Sequence, residues 1–411
     1  MRLSMIVSVL LLLGAAIAEP RPASAAGYRV EYAFNSANNS RSSTGGLLTF
    51  GDKLYGVTSG GSHSDCKRKG SCGTVFSFDP LSGIEVQLYA FTGGSDGFGP
   101  AAGLIEYGGK LYGTTLFGGS ANCKPNGCGT VFSIDLNTGA ETVVHTFMGG
   151  VDGNAPEAGL VRFGSKLYGT TTYGGSVELC SCGTVYSVDP MSGAEKVVYA
   201  FTGGDGAYPF SGLTKVGDLL YGTVGVGGSS YCNGNGCGTV FSLDPTTNAM
   251  ALVYAFKGGD DGATPYGALL EVGNVLYGTT GAGGQSPRHA CGAGCGVVFS
   301  LQPTTGAEAV VYAFQGGLDA LSPRSDLISV NGVLYGTTEF GGARKRGNGG
   351  GTLYSIDPAT GIESVVHTFK ASAEGLYPDG ALTRISHALY GTTIEGGGAK
   401  CGCGILYKLH P

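Results

Sequence analysis

Lys166-Leu167-Tyr168-Gly169-Thr170-Thr171, then Gly183-Thr184-Val185-Tyr186-Ser187-Val188-Asp189-Pro190, then Lys196-Val197-Val198-Tyr199-Ala200-Phe201 decide the fold, because these words return along the whole chain. An apolar run, here Ala158-Gly159-Leu160-Val161-Arg162-Phe163, precedes them each time. The triplet Leu-Tyr-Gly recurs at Leu54, Leu111, Leu167, Leu220, Leu276, Leu334 and Leu389, at intervals of 57, 56, 53, 56, 58 and 55 residues. Each word is short, rich in β-branched and aromatic residues and bounded by Gly, Pro, Asp or Ser, so each repeat spells four strands, A to D. Four-strand units at this period, with no helical pattern between them, read as the blades of an all-β, seven-bladed propeller.

The two ends of the chain distinguish a closed ring from a stacked solenoid, which would need atypical capping repeats. The first word after the N-terminal segment, Tyr28-Arg29-Val30-Glu31-Tyr32-Ala33-Phe34, is a D strand. The last, Gly404-Ile405-Leu406-Tyr407-Lys408-Leu409-His410, is a C strand. Placing residues 28–34 on the outer edge of blade seven repairs both ends and leaves no open sheet edge.

Composition agrees with short strands and many tight turns: Gly is 78 of 411 residues without the three-residue period of collagen, and the 42% apolar content is too high for disorder. A net charge of -6 argues against a nucleic-acid partner, and the basic clusters Lys67-Arg68-Lys69 and Arg344-Lys345-Arg346 read as solvated loops. Residues 1–25 have the layout of a secretory signal, with an apolar run from Leu3 to Ile17 and small residues at Ala16-Ile17-Ala18 and Ala23-Ser24-Ala25. The run is too short to span a membrane. We therefore expect a secreted or periplasmic, monomeric product whose residues 26–411 form one propeller domain.

The words Leu-Tyr-Gly-Thr-Thr-x-x-Gly-Gly, Gly-Thr-Val-Phe-Ser-x-Asp-Pro and Val-Val-Tyr-Ala-Phe resemble the tandem repeat named GloVer, after Gloeobacter and Verrucomicrobia, over essentially the whole mature chain. The resemblance implies a bacterial exported propeller and supplies no catalytic residues. Members often carry a C-terminal anchor, which Tyr407-Lys408-Leu409-His410-Pro411 does not resemble.

Twelve cysteines fall as Cys66/Cys72, Cys123/Cys128, Cys180/Cys182, Cys232/Cys237, Cys291/Cys295 and Cys401/Cys403, always between strands B and C. Repeat six loses both members together, as pairing within a loop predicts. We expect local disulfides, in keeping with an oxidising destination. Spacings that drift from one to five intervening residues do not suit zinc, and His289 beside Cys291 reads as a surface residue. Such small rings shape loops more than they hold a fold.

In an up-and-down blade the B-to-C and D-to-next-A connections leave from one side, and these are the long, variable ones. Binding sites on scaffolds sit on such loops. The strand A leucines (Leu47, Leu104, Leu160, Leu213, Leu269, Leu327, Leu382) never change and are packing residues. Just ahead of them, beside the recurring Pro, identity scatters: Thr44, Ala101, Glu157, Phe210, Tyr266, Arg324, Asp379. Repeat six adds Asp326 where others have Gly or Ala, and the B-to-C loops add Glu339 and Glu395. The ligand-binding candidates are thus Glu157, Phe210, Tyr266, Arg324, Asp326, Glu339, Asp379 and Glu395, set around one channel mouth. Aromatic faces with carboxylates and a guanidinium suit an extracellular glycan or a protein ligand. The same carboxylates could instead serve a glycoside hydrolase or a polysaccharide lyase, and a third reading is an envelope scaffold. No cofactor is expected. The repeated Asp96, Asp152, Asp205, Asp261 and Asp319 admit a calcium reading, but one carboxylate per blade falls short of the six to eight oxygens calcium takes, and Asp-Gly forms turns. His145 and His367 stand where other D strands have Tyr and read as strand residues.

Overall fold

The computed structural model describes residues 27–35, 45–60, 72–176, 180–284, 291–342, 349–370, 372–398 and 401–411. The signal at 1–25, Thr44, Cys66, His289 and both basic clusters lie outside the described residues. Seven antiparallel sheets follow one another, each running A-B-C-D. In blade three these are Val161–Phe163, Lys166–Thr171, Thr184–Val188 and Glu195–Ala200, with Leu167 opposite Val188 and Thr171 opposite Thr184. Blades five and six gain one short strand each, Ala263–Pro265 and Ala320–Pro323, paired with the far end of strand B. The N-terminal strand Arg29–Ala33 pairs antiparallel with Ile405–Leu409, Arg29 facing Lys408 and Ala33 facing Ile405, so the ring closes as the chain ends require.

The core lies at the seams between blades, where an aromatic from strand D meets one from strand C of the next blade. Phe34–Phe76, Phe91–Phe132, Phe147–Tyr186, Phe201–Phe241, Phe256–Phe299, Phe314–Tyr354 and Phe369–Tyr407 are edge-to-face pairs with centroids 4.9–5.3 Å apart and interplanar angles of 61–73°. This is the geometry that aligns the positive edge of one ring with the negative face of the other. The Leu-Tyr-Gly glycine lies beneath these rings. A Cβ on Gly222 would stand 2.6 Å from Phe241 Cζ and 2.9 Å from Leu213 Cδ2, and the other six copies are as tight. The triplet is therefore a packing requirement, in which Leu fills the blade interior and Gly admits the strand C ring.

The turns follow from side chains that bond their own backbone. Asp189 Oδ1 accepts the Met191 and Ser192 N–H groups at the short C-to-D turn, as Asp79, Asp135 and Asp244 do in their blades. In the D-to-A loops Asp96 accepts from Thr92 N–H (2.7 Å), Thr92 hydroxyl (2.7 Å), Gly94 N–H (3.1 Å) and the Tyr89 hydroxyl (3.0 Å). Asp152 and Asp319 accept the Met148 and Gln315 N–H groups in the same way. The repeated aspartates thus organise the loops that carry the candidate residues.

The B-to-C loops are closed by Cys123–Cys128, Cys180–Cys182, Cys232–Cys237, Cys291–Cys295 and Cys401–Cys403, with Cα atoms 5.0–5.4 Å apart. Cys72 is also disulfide-bonded. Among the described residues no helix is long and apolar enough to cross a membrane.

Candidate functional site

The strand A segments of all seven blades converge on a cavity of about 660 Å³ at the end of the channel where the long loops emerge. Its wall is uneven. Blades one and two supply Gly45, Gly46, Ala101, Ala102, Phe98 and Phe117, whereas Glu157, Phe210, Tyr266, Arg324, Asp326 and Asp379 come from blades three to seven. In blades two to seven a proline (Pro100, Pro156, Pro209, Pro265, Pro323 or Pro378) immediately precedes the residue that reaches the cavity wall.

The aromatic members are ordered by mutual contact. Phe210 and Tyr266 stack with centroids 5.1 Å apart and 17° between planes. The Arg324 guanidinium lies 4.6 Å from the centre of the Tyr266 ring, a cation–π contact. Arg324 Nη1 is in turn 3.0 Å from Glu339 Oε2. The result is a continuous platform, ring on ring on guanidinium, held at its far end by a carboxylate.

The acidic members share one electrostatic environment. Burial and the repulsion of Glu339 push the Asp379 carboxyl up to about 6 against the pull of Arg324, with Glu157 and Asp326 adding to the rise. Burial raises Glu157, an effect partly offset by the Thr172 hydroxyl, which donates to it at 3.3 Å. Burial likewise raises Asp326, whose Oδ1 accepts the Ala268 N–H at 2.6 Å and so ties blade six to blade five. Burial thus raises Glu157, Asp326 and Asp379 together around one guanidinium, so each gives up its proton less readily than a solvated carboxyl does.

Seven of the eight candidates belong to this constellation. Six line the cavity, and Glu339 joins through Arg324. Glu395 does not: it is exposed, and its backbone bridges Leu376. Counted from the Leu-Tyr-Gly triplet, Glu395 sits one residue further along than Glu339, and successive side chains of an extended segment point to opposite sides. Phe98, Phe117 and Leu116 also line the wall; Phe117 matches Tyr173, Val226, Ala282 and Phe340 of other repeats and so looks like a packing residue, whereas Leu116 occupies the place that Glu339 has in repeat six. The place of Leu116 and Phe117 just past strand B is the signal that could have found them, and Phe98 in the D-to-A loop bridges Phe117.

With the geometry in hand, comparison with known proteins places the chain. It belongs to the Gloeobacter/Verrucomicrobia repeat family, whose description matches residues 21–236 and 182–406. No curated protein matches it in sequence. Among solved structures it is similar to an oligogalacturonate lyase in complex with manganese, with 13% identity, a TM-score of 0.52, and coverage of 90% of this chain and 89% of that one. An oligogalacturonate lyase from Vibrio parahaemolyticus gives 11% identity, a TM-score of 0.52, and coverage of 94% and 97%. A 6-phosphogluconolactonase-like protein from Bacteroides uniformis gives 15% identity, a TM-score of 0.53, and coverage of 83% and 89%. At such identities the likeness is one of fold.

Proposed function

We propose that this Gloeobacter/Verrucomicrobia repeat protein is an exported binding module that takes a neutral glycan, or a similar polyhydroxylated ligand, at the channel mouth. The observation that carries this reading is the Phe210–Tyr266–Arg324 platform in the wall of a cavity shared with Glu157, Asp326 and Asp379. A sugar ring presents an apolar face to an aromatic platform and hydroxyls to carboxyl groups at its rim. The cavity volume falls in the range that encloses small ligands, about 300–1,000 Å³. The excess of carboxyl groups over guanidinium disfavours a polyuronate, so the lyases with a similar fold do not supply the ligand by analogy. Export is supported by the signal layout of residues 1–25 and by the loop disulfides.

Calorimetry against a panel of neutral oligosaccharides, with an oligogalacturonate as counter-ligand, tests the reading. Binding of a neutral glycan that is lost in Tyr266→Ala, while the fold persists, is the expected result. Binding of the oligogalacturonate alone, or neutral binding indifferent to Tyr266, refutes it.

A second reading rests on one specific feature, the Asp379 carboxyl held at about 6 in a cavity with further acids. A proton-holding acid near an ionised one is the arrangement of general-acid glycoside hydrolysis. New reducing ends from the bound glycan, absent in Asp379→Asn, would move the protein from binding module to enzyme.

A further inference from the structure

A second cluster lies at the outer rim, at the seams between blades, far along each sheet from the channel strands. Its ground plan repeats: a strand D tyrosine, the D-to-A loop aspartate, and a glutamate opening strand D of the next blade. At the seam of blades four and five the Tyr254 hydroxyl is 2.8 Å from Asp261 and 3.2 Å from Glu308. Tyr89 with Asp96 and Tyr312 with Asp319 repeat the first of these contacts at 3.0 and 3.2 Å. In each case a phenol O–H fills the space between carboxylates with a proton to donate.

The seam of blades two and three departs from this plan. His145 takes the tyrosine's place and meets Asp152 and Glu195. One atom from each of the three lies within 4.8 Å of the others. His145 Nε2 stands 3.6 Å from Asp152 Oδ1, too far to hydrogen bond. Both His145 Nε2 and Glu195 Oε1 are shielded from solvent and have no hydrogen-bond partner. Asp152 is steadied by the Met148 N–H on its other oxygen, Oδ2, at 2.6 Å, which leaves Oδ1 turned to the cluster. The other seam histidine differs: His367 is covered by Tyr28, stacked at 3.7 Å with 6° between planes, where a glutamate would otherwise stand.

We propose that His145, Asp152 and Glu195 form a binding site for a divalent first-row transition cation of the zinc type, pinning the seam between blades two and three. One imidazole nitrogen and two carboxylate oxygens make a three-ligand set that leaves a position for water. Ligand atoms about 3.4 Å apart are what tetrahedral bonds of about 2.1 Å produce, close to the Nε2–Oδ1 separation here. The imidazole selects against calcium and magnesium, which take oxygen ligands. The site uses His145 as more than a strand residue, and it is independent of the channel mouth.

Titration of the metal-free full chain with zinc chloride, followed by calorimetry and thermal melting, tests the proposal. Wild type is expected to take up one zinc at this seam with a rise in melting temperature. His145→Tyr installs the residue that other seams carry, so it should fold and lose that equivalent. Glu195→Gln, nearly isosteric, should weaken binding by roughly tenfold or more, as loss of a metal-directing group does. Cobalt(II) should give a d–d absorption in wild type that is absent in His145→Tyr. No uptake by wild type, or uptake and melting shifts unchanged in both variants, overturns the proposal.

Discussion

Gly222 and Tyr354 show how little freedom a seam position has. The strand C ring lies directly over the Leu-Tyr-Gly glycine, so an added methyl group has no space and must displace Phe241 or Leu213. Gly222→Ala is expected to destabilise by about 1–3 kcal/mol, the usual cost of overpacking a filled core. Tyr354 errs in the opposite direction. Its hydroxyl is buried without a hydrogen-bond partner, and burial pushes its ionisation well above the ordinary range. Blades one, two, four and five carry Phe at that place, as Phe76, Phe132, Phe241 and Phe299. Tyr354→Phe is thus expected to leave stability unchanged or raise it, since an unsatisfied buried hydroxyl costs free energy. Urea unfolding of the two variants beside wild type checks both, and a loss of more than about 1 kcal/mol in Tyr354→Phe contradicts the packing account. At this scale the sequence was readable where repeats agreed. The unchanging Leu and Gly point to packing, and the scattered residues ahead of strand A point to the cavity. Glu395 shows the limit, because a one-residue offset within an extended segment turns a side chain to the other side.

Between elements, the seams couple the blades through acids as well as rings. Burial, with the help of a neighbouring aspartate, raises Glu141 to about 7, Glu308 to about 6 and Glu363 to about 8. An acid whose folded pKa lies above its unfolded value contributes its full stability below the unfolded value and loses it as pH rises through the folded one. Melting temperature is therefore expected to fall between about pH 5 and pH 8.5 as these carboxyls lose their protons beside like charges. The triple variant Glu141→Gln, Glu308→Gln, Glu363→Gln should flatten that slope, leaving the part due to Glu85, Glu195 and cavity acids such as Asp379. A variant with the wild-type slope would show that the seam acids ionise without cost. The strand words themselves predict none of this, because each glutamate meets an aspartate of the preceding blade.

For the whole molecule, ring closure is the element on which every seam depends. Residues 27–35 supply both the last ladder, Arg29–Ala33 on Ile405–Leu409, and the seventh edge-to-face pair, Phe34 on Phe76. Removing them exposes a C strand edge on blade seven and leaves the blade one seam short of its ring. The truncated chain is expected to melt at lower temperature, lose cooperativity and elute in larger species on gel filtration. A truncated chain that stays monomeric with unchanged melting would show that the ring does not need its N-terminal strand.

The sequence by itself determined the number of blades, the four-strand plan, the closing strand and the end of the channel on which variable loops gather. All of these follow from local words repeated at a fixed period, and a period records what each blade needs from its own backbone. Only the tertiary structure decided that Tyr266 lies between Phe210 and Arg324, that Glu339 and not Glu395 reaches that platform, and that His145 meets Asp152 and Glu195. Phe210, Tyr266 and Arg324 come from three blades, His145 and Asp152 face Glu195 of the next blade, and Arg324 meets Glu339 across blade six. Closing the ring sets the distances between blades, and no single repeat contains that information.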